Sequence, residues 1–146
     1  MLAQALKTHL GKMGEAGLYF VLGLVILLIA RVVWNWITRY NVNDEIGVQD
    51  NVSAGIAEFG FLVAMAIIIA AAVSGERGQL TIYIDMVISL LYSLFGLIAL
   101  ALGKVILEIF TPFQLDAEIN RDKNQAAGWL QAGFFIAIAI IISGVL

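Results

Sequence analysis

The chain has no cysteine and one proline among 146 residues, and only 13% of its positions are Asp, Glu, Lys or Arg. Without cysteine there are no disulfides, thiolate zinc sites, iron–sulfur clusters or cysteine nucleophiles. So little charge excludes a water-exposed globular surface, which carries about 25% charged residues. Disorder is excluded by the opposite excess, since 62% of positions are apolar. Enzyme signatures are missing too: there is no phosphate-binding loop, no Gly-x-Ser-x-Gly and no His–Glu pair. His9 stands alone, so no protein metal site and no cofactor are expected. A pI of about 4.9 argues against nucleic acid as a partner.

Long apolar runs are what the chain does have, and its mean hydropathy is +0.97. Four segments reach the ~20 residues that cross about 30 Å of hydrocarbon. They run from Ala16 to Ile37, Ser53 to Ser74, Met86 to Leu107 and Ala126 to Leu146. Inside them the charges are Arg31, Glu58 and Lys104. Lys7, His9 and Lys12 precede the first run as in a secretory signal, but the run is too long and ends at Arg31, Trp34 and Trp36 like an anchor. An uncleaved first span is expected. Leu2, Leu6, Leu10 and Met13 recur at helical spacing, which predicts a short interfacial helix over residues 1–15.

The sequence repeats itself. Shifted by 73 residues, Leu18–Val73 matches Leu91–Leu146 without a gap, with about a third of positions identical. Tyr19, Gly23, Leu24, Val32 and Thr38 fall on Tyr92, Gly96, Leu97, Val105 and Thr111. Arg31 falls on Lys104. The strongest block is Glu45-Ile46, Asn51-x-x-Ala54-Gly55, Gly60-Phe61, Ala64, against Glu118-Ile119, Asn124-x-x-Ala127-Gly128, Gly133-Phe134, Ala137. Chance matching of Ile and Ala does not align Glu-Ile, Asn and three glycines in register.

The predicted fold is an all-α integral membrane protein with four transmembrane helices arranged as two tandem parallel two-helix repeats, after the interfacial helix. Its divisions are residues 1–15, repeat 1 at 16–75, a connecting turn at 76–85, and repeat 2 at 86–146. An even number of spans per repeat gives both the same orientation. Loops 39–52 and 111–123 then share one side, and both termini with the Gly75–Leu80 turn share the other. The loop side carries Arg31, Arg39, Lys104, Arg121 and Lys123 against Lys7, Lys12 and Arg77, which makes the loops cytoplasmic.

These elements resemble the DUF350 family of bacterial inner-membrane proteins, also called UPF0719. The resemblance covers both repeats and is most specific at Asn51-Val52-Ser53-Ala54-Gly55 and Asn124-Gln125-Ala126-Ala127-Gly128. It implies an inner-membrane location and genes near those for amine-ligating ATP-grasp enzymes and membrane-stress or membrane-remodelling proteins. It implies no biochemical activity.

The polar positions each admit two readings. Asn51 and Asn124 cap the second helix of their repeats, or they line a polar site with Gly55 and Gly128, where helix N-termini favour an anion. Glu58 lies two turns below Asn51; it carries function inside the bundle, or it pairs with Arg31 or Lys104. Its repeat partner is Gln131, uncharged, and both belong to the candidate polar site with Asn51, Gly55, Asn124 and Gly128. Arg31, Trp34, Trp36 and Lys104 are read as interface positioning residues, by snorkelling and as an aromatic belt. Lys104 and Glu108 are spaced to pair along a helix. Asp85 sits where a helix N-terminus favours a carboxylate. Gly60/Ala64 and Gly133/Ala137 form small packing faces, and Gly96 lies on another with Ser89, Ser93 and Gly103. The loop acids Asp44, Glu45, Asp50, Asp116, Glu118 and Asp122 are expected as solvated faces or a docking surface.

Two functions fit these residues. One is a non-enzymatic membrane anchor or docking subunit of a membrane-maintenance or stress system, self-associating as a homo-oligomer and meeting cytoplasmic proteins through the 39–52 and 111–123 loops. The other is a subunit of an oligomeric channel or transporter with a polar path near Asn51, Asn124 and Glu58. The first expects polar residues gathered over a closed apolar bundle. The second expects them to face inward or toward a shared axis.

Overall fold

The computed structural model describes residues 1–75 and 81–146, without the side chains at 2, 3, 5, 7 and 8. The expected turn at Gly75–Leu80, with Arg77, lies almost wholly outside the described residues. The described residues form six helices: α1 (Leu2–Ile37), α2 (Val42–Gly47), α3 (Val52–Ser74), α4 (Ile82–Phe110), α5 (Leu115–Asn120) and α6 (Gln125–Ser143). α1, α3, α4 and α6 contain the four stretches long and apolar enough to cross a membrane. The shortest, α6 with 19 residues, spans about 28 Å at 1.5 Å per residue.

Three features differ from expectation. No separate interfacial helix precedes the first span, because α1 runs unbroken from Leu2 to Ile37. Gly11, Gly14 and Gly17 each weaken a helix by only about 1 kcal/mol, and no proline interrupts the hydrogen-bond ladder. The connecting segment ends earlier than residue 85: α4 begins at Ile82 and carries Asp85 in its first turn. The two loops contain α2 and α5, six residues each, too short to show a hydrophobic period.

Local chemistry sets the helix ends. Asn41, Asn51 and Asn124 cap α2, α3 and α6 by accepting from amides one turn ahead, at 3.0–3.1 Å for the closest. The hydroxyls of Thr38 and Thr111 donate back to Trp34 O and Leu107 O, at 3.1 and 3.0 Å, closing α1 and α4 alike.

α3 is the central helix and packs against the other three spans. Its closest partner is α6: a Cβ placed on Gly60 would overlap the backbone of Ala132, and one on Gly128 would lie 2.7 Å from Ser53 O. Such close approach maximises the dispersion contacts that hold helices together in lipid. Ala64 is buried nearby, and Gly96 admits the Ile68 side chain between α3 and α4. Gly133 and Ala137, expected in a packing face, instead look outward within the single chain.

Trp34 also departs from expectation. It is buried, stacked on Phe61 at 4.7 Å and edge-on to Phe135 at 5.5 Å. Three aromatic rings therefore close the interior where an interfacial belt residue was expected. Trp36 does face outward, in keeping with a belt position.

Candidate functional site

Polar groups gather at the end of the bundle that carries α2 and α5. Each short helix is tied to the following span by a Glu–Asn clamp. Asn51 Nδ2 donates to Glu45 Oε2 at 2.7 Å, and Asn124 Nδ2 donates to Glu118 Oε2 at 2.8 Å. The backbone repeats the connection, Asn51 N to Glu45 O at 2.8 Å and Asn124 N to Glu118 O at 2.9 Å. Asp50 and Lys123 make the reversal with φ of 50° and 49°, a left-handed conformation that disfavours L residues. One asparagine thus uses its oxygen on the helix start and its amide on the preceding acid.

The two clamps sit in different surroundings. Glu45 is buried, and its carboxylate also accepts from Gln49 at 2.9 Å and, with the amide turned to donate, from Asn120 at 2.7 Å. Asn51 is buried as well and donates to Ile119 O at 3.0 Å. Ser53 Oγ donates to Asn124 O at 2.6 Å, and Lys123 Nζ to Gln49 O at 3.3 Å. α2, α3 and α5 are therefore locked into one unit. Asn124 is exposed, and its side chain caps α6 and holds Glu118 of α5 without reaching the other half.

The charges inside the spans are neutralised by different means in the two halves. Arg31 Nε lies 2.7 Å from Glu58 Oε1, and Arg31 Nη2 donates to Asn43 Oδ1 at 3.0 Å. Lys104 Nζ lies 2.7 Å from Asp116 Oδ2, which also accepts from Arg39 N at 3.2 Å. Asn43 and Asp116 are 73 residues apart, like Arg31 and Lys104. The first half has a neutral Asn43 and takes its carboxylate from α3; the second has Asp116 on α5 and a neutral Gln131. Each cation therefore meets one carboxylate, which accounts for the Glu58/Gln131 difference.

This arrangement corrects two further expectations. Lys104 is buried against Asp116; it neither snorkels nor pairs with Glu108, whose near cation is Arg39 at 3.9 Å. Glu45 and Asp116 are buried structural acids, whereas Asp44, Asp50 and Asp122 face outward as expected. The sequence signal for the clamp was present: Glu stands six residues before Asn in both copies. The Asp116 pairing had no such signal, because its counterpart is an asparagine.

The six candidate polar-site residues do not converge. Asn51 and Gly55 line one open groove of about 610 Å³ with Ile46, Phe59 and Trp129. Gly128 is covered by Ser53, Glu58 is paired, and Asn124 lies outside the groove. Gln131 is fully buried, with neither amide atom bonded among the described residues. Tyr40 is buried in the same layer; burial pushes its phenol pKa up, and the carboxylates of Asp116, Glu45 and Glu58 add to the shift. It stays neutral at physiological pH.

Four long apolar helices, capped at one end by a buried polar layer, define an all-α protein with four candidate membrane spans. The family model for a domain of unknown function, DUF350, matches residues 2–146, and the chain belongs to that family. No curated protein and no solved structure matches it.

Proposed function

We propose that this chain is a non-enzymatic membrane anchor that self-associates and presents the α2/α5 face to cytoplasmic proteins of a membrane-maintenance or stress system in the bacterial inner membrane. One observation carries the reading. Polar side chains at this end of the bundle fix α2 and α5 across the span ends, and the interior beneath them is closed by Trp34, Phe61 and Phe135. A rigid outer face results, with Val48 prominent among Asp44, Asp50, Arg121 and Asp122. The excess of Lys and Arg on this side supports a cytoplasmic position for it.

The alternative, a subunit of an oligomeric channel or transporter, draws on the unbonded Gln131 amide and the Asn51–Gly55 groove. Photoreactive residues at Val48 and Arg121, in native membranes, are expected to give adducts with soluble proteins, and one at Ile109 none. Purified protein in proteoliposomes is expected to pass no ions. Ion flux that Glu58→Gln abolishes, with the assembly intact, makes the channel reading the correct one.

A further inference from the structure

The α3–α6 contact inside the chain is one-sided. α3 presents Ser53, Ile56 and Gly60, and α6 receives them at Gly128 and Ala132. In the 73-residue register the receiving positions correspond to Gly55 and Phe59 on α3, and the presenting ones to Ala126, Trp129 and Gly133 on α6. Were the contact two-fold, Gly55 would meet Ala126 and Trp129, and Gly133 would meet Phe59. A Cβ on Gly55 or on Gly133 meets nothing within 4 Å. Repeat 2 therefore has a free presenting face, and repeat 1 a free receiving face.

Exposure marks the same faces. Phe59 is 56% exposed where its counterpart Ala132 is 1%, and Ile141 is 70% exposed where Ile68 is 0%. On the first helices, Phe20 is 70% exposed where Ser93 is 0%. Other positions are outward in both halves, such as Ile29 with Leu102 and Val32 with Val105, as lipid-facing positions are. Two open grooves occupy the receiving side of repeat 1. One is the 610 Å³ groove at Ile46, Asn51, Gly55 and Phe59. The other, about 600 Å³, runs between α1 and α3 along Phe20, Gly23, Leu24, Ala66 and Ile69. The counterparts of the second in repeat 2 include Gly96, which is filled by Ile68 of α3.

We propose that both grooves are filled by α6 of a second copy, and that two copies close head to tail into a ring of four repeats. This rests on the self-association within the proposed function. The second copy's Trp129, Gly133 and Ile141 enter as Ile56, Gly60 and Ile68 do within one chain. Closure at two follows from helix geometry. The presenting and receiving faces differ by one residue, about 100° around a helix, so each step turns the next repeat by about 80°, close to a quarter turn. Trp129 lines the same groove as Gly55 and Phe59, so both free faces turn to one side, as such a ring requires.

The absence of cysteine makes the test direct. Phe59→Cys and Gly133→Cys are placed in separate, differently tagged copies and oxidised together in native membranes. The expected product is a covalent dimer of unlike copies, at least tenfold above an Ile29→Cys with Leu102→Cys control. Neither single variant is expected to pair with itself. A Gly55→Cys with Ala126→Cys pair is expected to behave the same way, which covers poor folding of the first. With both cysteines of a pair in one chain, covalent growth is expected to stop at two copies. Self-pairing of a single variant, crosslinking no better than the control in both pairs, or a ladder beyond dimers overturns the proposal. Photoadducts at Val48 are read separately, so loss of the ring and loss of the anchoring role are distinguishable.

Discussion

Replacing Lys104 by methionine tests whether the polar layer is a true interior. Lys104 Nζ and Asp116 Oδ2 are 2.7 Å apart, with side chains 7% and 4% exposed. Methionine keeps the length of the side chain and removes the charge. Asp116 is then left buried with the Arg39 N–H, at 3.2 Å, as its remaining hydrogen-bond donor. Removing one partner of a buried pair costs about 3–5 kcal/mol, because the other charge stays uncompensated. That lowers the folding equilibrium constant by roughly two to four orders of magnitude. The assay is the unfolding free energy in detergent micelles, with hydrogen exchange of the α5 amides measured alongside. Lys104→Met with Asp116→Leu is expected to regain at least half of the loss, since no bare charge remains. Glu58→Gln is the internal comparison: the cation it leaves, Arg31, has a side chain 46% exposed and keeps its bond to Asn43, so the deletion is expected to cost only about 1 kcal/mol. If Lys104→Met loses less than about 1 kcal/mol, water reaches Asp116 and the buried-layer account is refuted.

Three more outcomes follow from the same geometry. Asn51→Ala is expected to destabilise by about 2–4 kcal/mol, because it removes a cap and leaves Glu45 and Ile119 O short of a donor, whereas Asn124→Ala should lose about 1 kcal/mol; unfolding titrations of the two compare them directly. Trp34→Ala is expected to cost about 3–5 kcal/mol and Trp36→Ala under about 1 kcal/mol; equal losses in thermal melts would mean that Trp34 is an interface anchor after all. Tyr40 has a raised pKa when folded, so its contribution is fully present below the unfolded phenol value near 10 and is lost as pH rises above it. Ultraviolet titration should show Tyr40 ionising only as the bundle opens, and Tyr40→Phe should remove that alkaline step.

Much of the framework was legible from residue order. Apolar runs marked the spans, because a helix in lipid must satisfy its backbone internally and offer apolar side chains all round. The Asn caps were legible because capping needs only neighbours along the chain. α2 and α5 were not, since six residues are too few for a period. Trp34 was misplaced because an aromatic near a span end looks the same whether it points to lipid or to Phe61. Lys104 was misplaced for a related reason: Glu108, one turn away, was visible, whereas Asp116 becomes its partner only when α5 folds back over the span.

Hydropathy and capping act over short stretches of chain, so residue order alone specifies four long apolar helices and a recurring Glu–Asn motif. What the scarce charges do is set by packing in three dimensions. Which carboxylate meets Arg31 and which meets Lys104, and which glycine faces are filled and which left open, depend on how α3 lies against its neighbours. The 13% of charged positions that first excluded a soluble surface include the buried Lys104–Asp116 pair that holds α5 in place and the half-exposed Arg31–Glu58 pair between α1 and α3. Those contacts join residues far apart in the chain, and only packing brings them within reach.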